Sequence, residues 1–467
     1  MKHLPWFALS IDRAAGQPVF EQICAEIRKR TISGDLPEGA VLPSTRVFAT
    51  ELGVSRSTIV TAYEQLVAEG YLTSRRGSGH RVCAVGEADL AQPRARTKGR
   101  SAEERPSAPI PFEAGQPDMR LFPHRQWAKT VARVCRANPQ AMLVGGKTFG
   151  NPDLCRAIAA HVSDWRGIDA SPDQVIITAG STDGLEICMR SLTEPGDTVA
   201  MEDPGYAPMH RFARAQLLKP QFLQVDDQGA ALPAASARAP SLAMLTPSHQ
   251  YPLGGAMSPN RRLEFLRWAA DYDAWILEDD YDSEFRYAGR PIPAMAGFDR
   301  LNRTIYLGSF SKIFSNTLRM GYLVVPEPLL ERFRATIRRF GVKASYMPQQ
   351  ALAEFIDTGE FYRHLRRVRR IYGERRKYLL DRLQRDFAGF GWFEDHQAGM
   401  QVAFHLNPGL VDREICTRAV KAGMAVEALS EFSIGETGHN GLLLGFCAYS
   451  VEELEPALDA LLEIVRP

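Results

Sequence analysis

The chain changes texture once, and sharply. Residues 84–110 contain QPRARTKGRSAEERPSAP and carry almost no large apolar side chain. Such a stretch cannot bury enough surface to offset the entropy lost on ordering. It reads as a linker, stiffened at its prolines. The 467 residues are too many for one ordinary domain. The expected division is a small first domain over 12–83, the linker over 84–110 and a large second domain over 111–467.

Beyond the linker, short apolar runs alternate with helical patterns. VIIT (175–178), TVAME (198–202), LAMLTP (242–247), AWILEDD (274–280) and TIYLGSF (304–310) read as buried strands. Strands buried on both faces and separated by helices predict an α/β domain with a mostly parallel sheet. From about Glu331 the pattern is mainly helical, with short strands near 400–406 and 442–447, which predicts a small C-terminal α+β subdomain.

Hydrophobic residues make up 45% of the chain and charged residues 24%, as in a soluble globular protein. The formal net charge is +1, so nucleic-acid binding would need a local patch. The seven cysteines are scattered without a C-x-x-C pair, which fits reduced thiols rather than a disulfide frame or a zinc site. No apolar run approaches bilayer length, and Met1–Ser10 does not read as a signal peptide. The expected location is the cytoplasm, with no membrane partner.

Before the linker, Val19–Ile32 places Ile23, Ile27 and Ile32 at helical spacing. Ser44 can cap a second helix whose apolar stripe is Val47, Phe48 and Leu52. Gly53 makes a tight turn, and a third helix follows with Ile59, Ala62, Tyr63 and Leu66 inward. Helix, short glycine turn and helix is the helix-turn-helix pattern. Two short runs around RRGSG then form a hairpin, or wing. Arg56 and Thr58 at the start of the third helix can reach base edges or phosphates, and Arg46, Arg75 and Arg76 supply charge to the DNA backbone.

The segment GQPVFEQICAEIRKRTISGDLPEGAVLPSTRVFATELGVSRSTIVTAYEQLVAEGYLTSRRGSGHRV resembles, over its whole length, the DNA-binding domain of GntR-type regulators. The resemblance implies operator contacts at Arg46, Ser55, Arg56, Thr58, Arg75 and the wing glycine, Gly77.

The second domain carries its chemistry in GSFSKIFSNTLRMGY (308–322): a strand, two serines, Lys312 and then Arg319. A lysine amine can condense with an aldehyde, and Ser309, Ser311 and Arg319 can surround a phosphate. A lone loop lysine is ordinarily a solvated surface residue, so the other segments decide. AWILEDDYDSEF ends a strand in Asp279, with Tyr281 two residues on. VIITAGSTDGLEIC runs a strand into Gly180-Ser181-Thr182 at a helix start, where backbone N–H groups favour phosphate. In MEDPGYAP, Tyr206 can stack on a flat ring.

Phosphate turn, aromatic, Asp, Lys and Arg follow the chain order of fold-type I pyridoxal 5'-phosphate (PLP) enzymes, and residues from about 112 to 467 resemble those aminotransferases. The head and body together resemble the MocR subfamily of GntR regulators, most specifically through TPSHQYPLGGAMS (246–258). The resemblance implies Lys312 as the Schiff-base lysine, Asp279 as the partner of the pyridine nitrogen, Tyr281 on the ring oxygen and Tyr206 against the ring. It places Gly180, Ser181, Thr182, Ser309 and Arg319 around the phosphate. Two departures stand out. Tyr251 occupies the position of the enzymes' ring-contacting Asn, and Asn316 that of a Pro common after the lysine.

Three functions are open at this point. One is a PLP-dependent regulator that senses an amino compound or a PLP-type vitamer at Lys312 and binds operator DNA. Another is a working aminotransferase with an appended head, and the third a DNA-binding protein whose body no longer holds cofactor. Aminotransferases clamp a substrate carboxylate with an Arg near their last strands. Here no Arg lies between Arg418 and Arg466, and position 208 is Pro. That disfavours the enzyme and leaves at most residual half-transamination. The joint presence of Lys312, Asp279 and Arg319 disfavours the third. Two half-sites and the fold-type I resemblance imply a head-to-tail, domain-swapped homodimer. RHLRRVRRIYGERRKYLLDRLQR (363–385) is a basic helical pattern, ordinarily a solvated face and otherwise a second surface for DNA or a partner subunit.

Overall fold

The structure is a computed structural model; it describes residues 11–13, 16–75, 79–84, 110–138, 147–234, 239–289, 292–435 and 438–466. The chain forms two compact units, Met1–Arg105 and Pro106–Pro467. The expected linker falls almost wholly outside the described residues.

In the first unit, α1 (Val19–Ile32), α2 (Thr45–Leu52) and α3 (Arg56–Ala68) precede a hairpin of β1 (Leu72–Arg75) and β2 (Gly79–Val82). Ser44 Oγ accepts from the Val47 N–H and Ser55 Oγ from the Thr58 N–H, so α2 and α3 both begin on serine caps. Gly53 turns the chain between them at φ 60°, in the left-handed region where a Cβ is costly. Ile23, Ile27, Phe48, Ile59, Ala62, Tyr63 and Leu66 form the core with Leu72 and Val82 of the wing. Two residues of the expected stripes are not in it. Ile32 is 45% exposed and Val47 is 51% exposed. Thr31 turns inward at the end of α1, its hydroxyl donating to the Ile27 carbonyl, and in the short α2 it is Phe48 and Ala49 that face the core.

The second unit is built on an eight-stranded sheet. Its strands are β3 (Val175–Thr178), β4 (Thr198–Asp203), β5 (Lys219–Asp226), β6 (Gly229–Ala230), β7 (Leu242–Leu245), β8 (Trp275–Asp280), β9 (Thr304–Ser309) and β10 (Gly321–Val324). They lie in the order β3-β10-β9-β8-β7-β4-β5-β6. The pairs from β5 through β4, β7 and β8 to β9 are parallel; β10 is antiparallel to both its neighbours, and β6 is antiparallel to β5. The five strands read from sequence are all present. β5 was missed because, near the sheet edge, its KPQFLQVD is only partly buried and carries polar residues. β10 has only four residues and follows the lysine loop directly.

A small antiparallel sheet follows: β11 (Gly391–Phe393), β12 (Gln401–Leu406), β13 (Glu427–Ala428) and β14 (Gly441–Gly445), in the order β11-β12-β14-β13. The basic pattern is one helix, Glu360–Asp386, but not simply a solvated face. Arg375, Arg376 and Arg382 are buried, and Arg375 pairs with buried Asp118 at 2.8 Å. Arg366, Arg367 and Arg370 are exposed.

Parallel strands deliver their C-terminal ends to one edge of the sheet, where ligands of open α/β sheets bind. The segments after β3, β4, β8 and β9 carry Ser181, at a helix start, and Tyr206, Tyr281 and Lys312 there, and Asp279 lies within the end of β8.

Candidate functional site

A cavity of about 90 Å3 is lined by Ala114, Gly115, Ser181, Tyr206, Thr246, Tyr251, Asp279, Tyr281, Lys312 and Gln401. Six residues singled out in the sequence, Ser181, Tyr206, Tyr251, Asp279, Tyr281 and Lys312, therefore line one cavity. Lys312 Nζ donates to the Gly115 carbonyl at 2.7 Å. Burial lowers its pKa, against the pull of Asp282 and Asp279. An amine so placed is kept closer to its neutral, nucleophilic form.

Asp279 is 6% exposed. Burial, then the like charges of Asp280 and Glu202, push its pKa up to about 7, with Lys312 opposing. Among the described residues no hydrogen-bond donor reaches its carboxylate. A buried, donorless carboxylate in a cavity wall is strained unless a cationic N–H faces it. A protonated pyridine nitrogen supplies that group, so this donor set fits PLP.

Aromatic rings surround these two groups. Tyr251 meets Tyr206 and Tyr281 edge-on, each with centroids 5.7 Å apart. Tyr251 is thus a wall of the cavity, and not a small polar contact like the Asn it replaces. The Tyr281 hydroxyl lies 2.9 Å from His249 Nδ1, and the same nitrogen lies 2.9 Å from Asp282. Neither His249 nor Asp282 stood out in the sequence, since a lone His and one more Asp in an acidic run carry no spacing signal.

The remaining phosphate-side residues are not in the cavity wall. Gly180 caps the helix Ser181–Leu192 at φ 92°, and Thr182 is exposed in its first turn, which has no side-chain cap. Ser309 is buried at the end of β9, its Oγ accepting from the Ser311 N–H at 3.1 Å. Arg319 is exposed at φ 47°, two residues before β10. Gly321 of β10 pairs with Ser309 of β9 and Thr178 of β3, which brings these three segments to the same end of the sheet.

Sequence reading missed Gly115, Thr246 and Gln401, which come from three distant segments. It also missed Glu202, a buried carboxylate that accepts from the Thr246 N–H at 3.1 Å and from its hydroxyl. Burial pushes Glu202 up to about 7.

In the first unit, Arg46, Ser55 and Arg56 are exposed. Arg56 Nε lies 3.4 Å from the Thr45 hydroxyl. Ser55 is occupied structurally, since its hydroxyl also pairs with Ser57 and Thr58. Arg76 and Gly77 lie outside the described residues, as does the Arg75 side chain.

Residues 20–82 match the gntR family of bacterial regulatory proteins, and residues 109–461 match aminotransferase class I and II. The probable rhizopine catabolism regulatory protein MocR of Rhizobium meliloti is 35% identical, over 97% of this chain and 95% of that protein. This chain is a MocR-type regulator of the GntR family. The pyridoxine biosynthesis transcriptional regulator PdxR of Corynebacterium glutamicum is 32% identical, over 95% of each chain. Among solved structures, the α-aminoadipate aminotransferase LysN of Thermus thermophilus, complexed with N-(5'-phosphopyridoxyl)-L-leucine, aligns with a TM-score of 0.67 at 26% identity. That alignment covers 76% of this chain and 91% of that one. The MocR-type regulator thus joins a GntR helix-turn-helix to a fold-type I aminotransferase-like domain whose cofactor is PLP. Its head belongs to a DNA-binding family. Among the described residues no helix is long and apolar enough to cross a membrane.

Proposed function

We propose that this MocR-type regulator senses a small amino compound, or a PLP-type vitamer, at Lys312 and passes the occupancy of that site to operator DNA. The observation that carries the reading is the pairing of a buried, donorless Asp279 with an enclosed Lys312 amine in one cavity. PLP supplies an aldehyde that condenses with primary amines. With PLP bound, Asp279 would hold the ring nitrogen protonated, Tyr206 would pack against the ring, and Tyr281 would serve the ring oxygen. Gly180, Ser181, Thr182, Ser309, Ser311 and Arg319 would hold its phosphate. In the head, Arg46, Arg56, Thr58, Arg75, Arg76 and Gly77 contact the operator, with Ser55 holding the start of α3 in place.

The working form in this reading is a head-to-tail, domain-swapped homodimer in the cytoplasm, with 84–110 as the tether between a head at 12–83 and a body at 111–467. Effector binding shifts the balance between arrangements of the body that place the heads differently on two half-sites.

A turning-over aminotransferase with a DNA-binding head is the second reading, favoured by the intact Lys312 and Asp279. Against it, Lys312 is the only cation among the described residues of the cavity wall. The test is visible absorption of the purified full-length chain loaded with PLP. Sensing predicts a visible cofactor band that Lys312→Ala abolishes, that amines shift, and that tracks operator affinity in a gel shift. Sustained keto-acid production from an amino donor would instead establish the enzyme.

A further inference from the structure

Gln401 opens β12 and is 6% exposed, and its Oε1 is buried without a hydrogen-bond partner among the described residues. A buried acceptor with no donor is costly, and in a ligand cavity it points to a donor the ligand brings. It lines the same cavity as the amine. A Cβ built on Gly115 would stand 2.7 Å from Lys312 Nζ and 3.9 Å from Gln401 Oε1.

The same end of the small sheet is acidic. Gln401 pairs in register with Gly445, and Glu427 with Leu443, two residues along the shared strand β14. The Glu113 carbonyl packs against Gly445. Glu427 is exposed at its surface, and partial desolvation and then the charges of Glu113 and Glu431 raise its pKa, with Lys312 opposing. The LLLG run of β14, near where an enzyme's carboxylate-clamping Arg would lie, is wholly buried and apolar. A ligand carboxylate in the cavity would meet the unpaired carbonyl oxygen of Gln401, with no arginine among the described residues of the wall; Glu113 and Glu427 lie outside that wall and act on the Lys312 charge through space.

We infer that the effector is a primary amine whose remaining substituents are hydrogen-bond donors, hydroxyls or a second ammonium, and which carries no carboxylate. Its amine lies at Lys312, and its donors face Gln401 Oε1, with Glu113 and Glu427 making that side of the cavity electronegative. This rests on the proposed sensing role and adds the chemical class that the site selects.

The test is titration of the visible cofactor band of the PLP-loaded, full-length protein at pH 8 with four probes. Serinol and 1,4-diaminobutane represent the two kinds of donor; alanine and 4-aminobutyrate carry a carboxylate. The expected result is half-saturation by serinol or diaminobutane at a concentration about tenfold or more below either carboxylate, the discrimination of one charge-assisted hydrogen bond. Gln401→Leu should weaken the preferred probe about fivefold or more and leave alanine within about twofold. Glu427→Gln, a change at an exposed position, should narrow the gap by strengthening the carboxylates. Equal or tighter binding of alanine or 4-aminobutyrate overturns the inference and leaves the sensing role standing, and so does a uniform loss for all probes in Gln401→Leu. A band that no amine moves overturns both; a protein with no band at all refutes cofactor binding itself.

Discussion

The Lys312 amine reaches back across 197 residues to donate to the Gly115 carbonyl at 2.7 Å. Gly115 sits at φ 66°, and an added methyl would meet the lysine Nζ at 2.7 Å and its Cε at 3.5 Å. Gly115→Ala is therefore expected to displace Lys312 and strain the loop. Its affinity for PLP should fall about tenfold or more, read by titrating the visible band. Unchanged affinity would show that the lysine moves freely away from this contact.

Glu202 supports the loop that carries Thr246 and Gln250 and is pushed up to about 7 by burial. A raised carboxylate binds its proton more tightly in the folded state. Its contribution to stability is full below the ordinary carboxylate range and is lost as pH rises through about 7. Glu202→Gln removes this titration and can still accept from Thr246. Melting temperatures of the two proteins should be close at pH 5, with the variant gaining on the parent by pH 8. A constant difference across that range would refute this.

Asp118 is 5% exposed and is held by Arg375, 7% exposed, and by Arg120, which also bonds Glu453. Against the upward push of burial, Arg120 and Arg375 hold this carboxyl below the usual carboxylate range. Asp118→Ala leaves the Arg375 guanidinium buried without its partner. The expected cost is about 3–5 kcal/mol in chemical denaturation, with Asp118→Asn milder because it keeps an acceptor.

In the head, Ser44 and Ser55 cap α2 and α3. Ser55→Ala should destabilise this unit by about 1 kcal/mol without altering the salt slope of operator binding. Arg56→Ala should leave stability nearly unchanged and weaken the operator complex. If it contacts phosphate, the salt slope falls by about 1; if a base, discrimination at one position relaxes. Gel shifts over a salt series separate the two outcomes.

The amino-acid sequence by itself determined the architecture. The chain divides into two compact units, Met1–Arg105 and Pro106–Pro467, and the serine caps and Gly53 build the helix-turn-helix through contacts a few residues apart. Strands buried on both faces announce themselves as unbroken apolar runs, which is why β3, β4, β7, β8 and β9 were legible and the partly polar β5 was not. Lys312, Asp279 and Tyr206 stood out because chemistry restricts residue type at strand ends. Gln401, His249, Glu202 and Gly115 did not, because each is ordinary in its local sequence. Only the tertiary structure decided that these four meet the lysine and its partners. The strand order and the register of the small sheet set that meeting, through contacts between segments up to hundreds of residues apart.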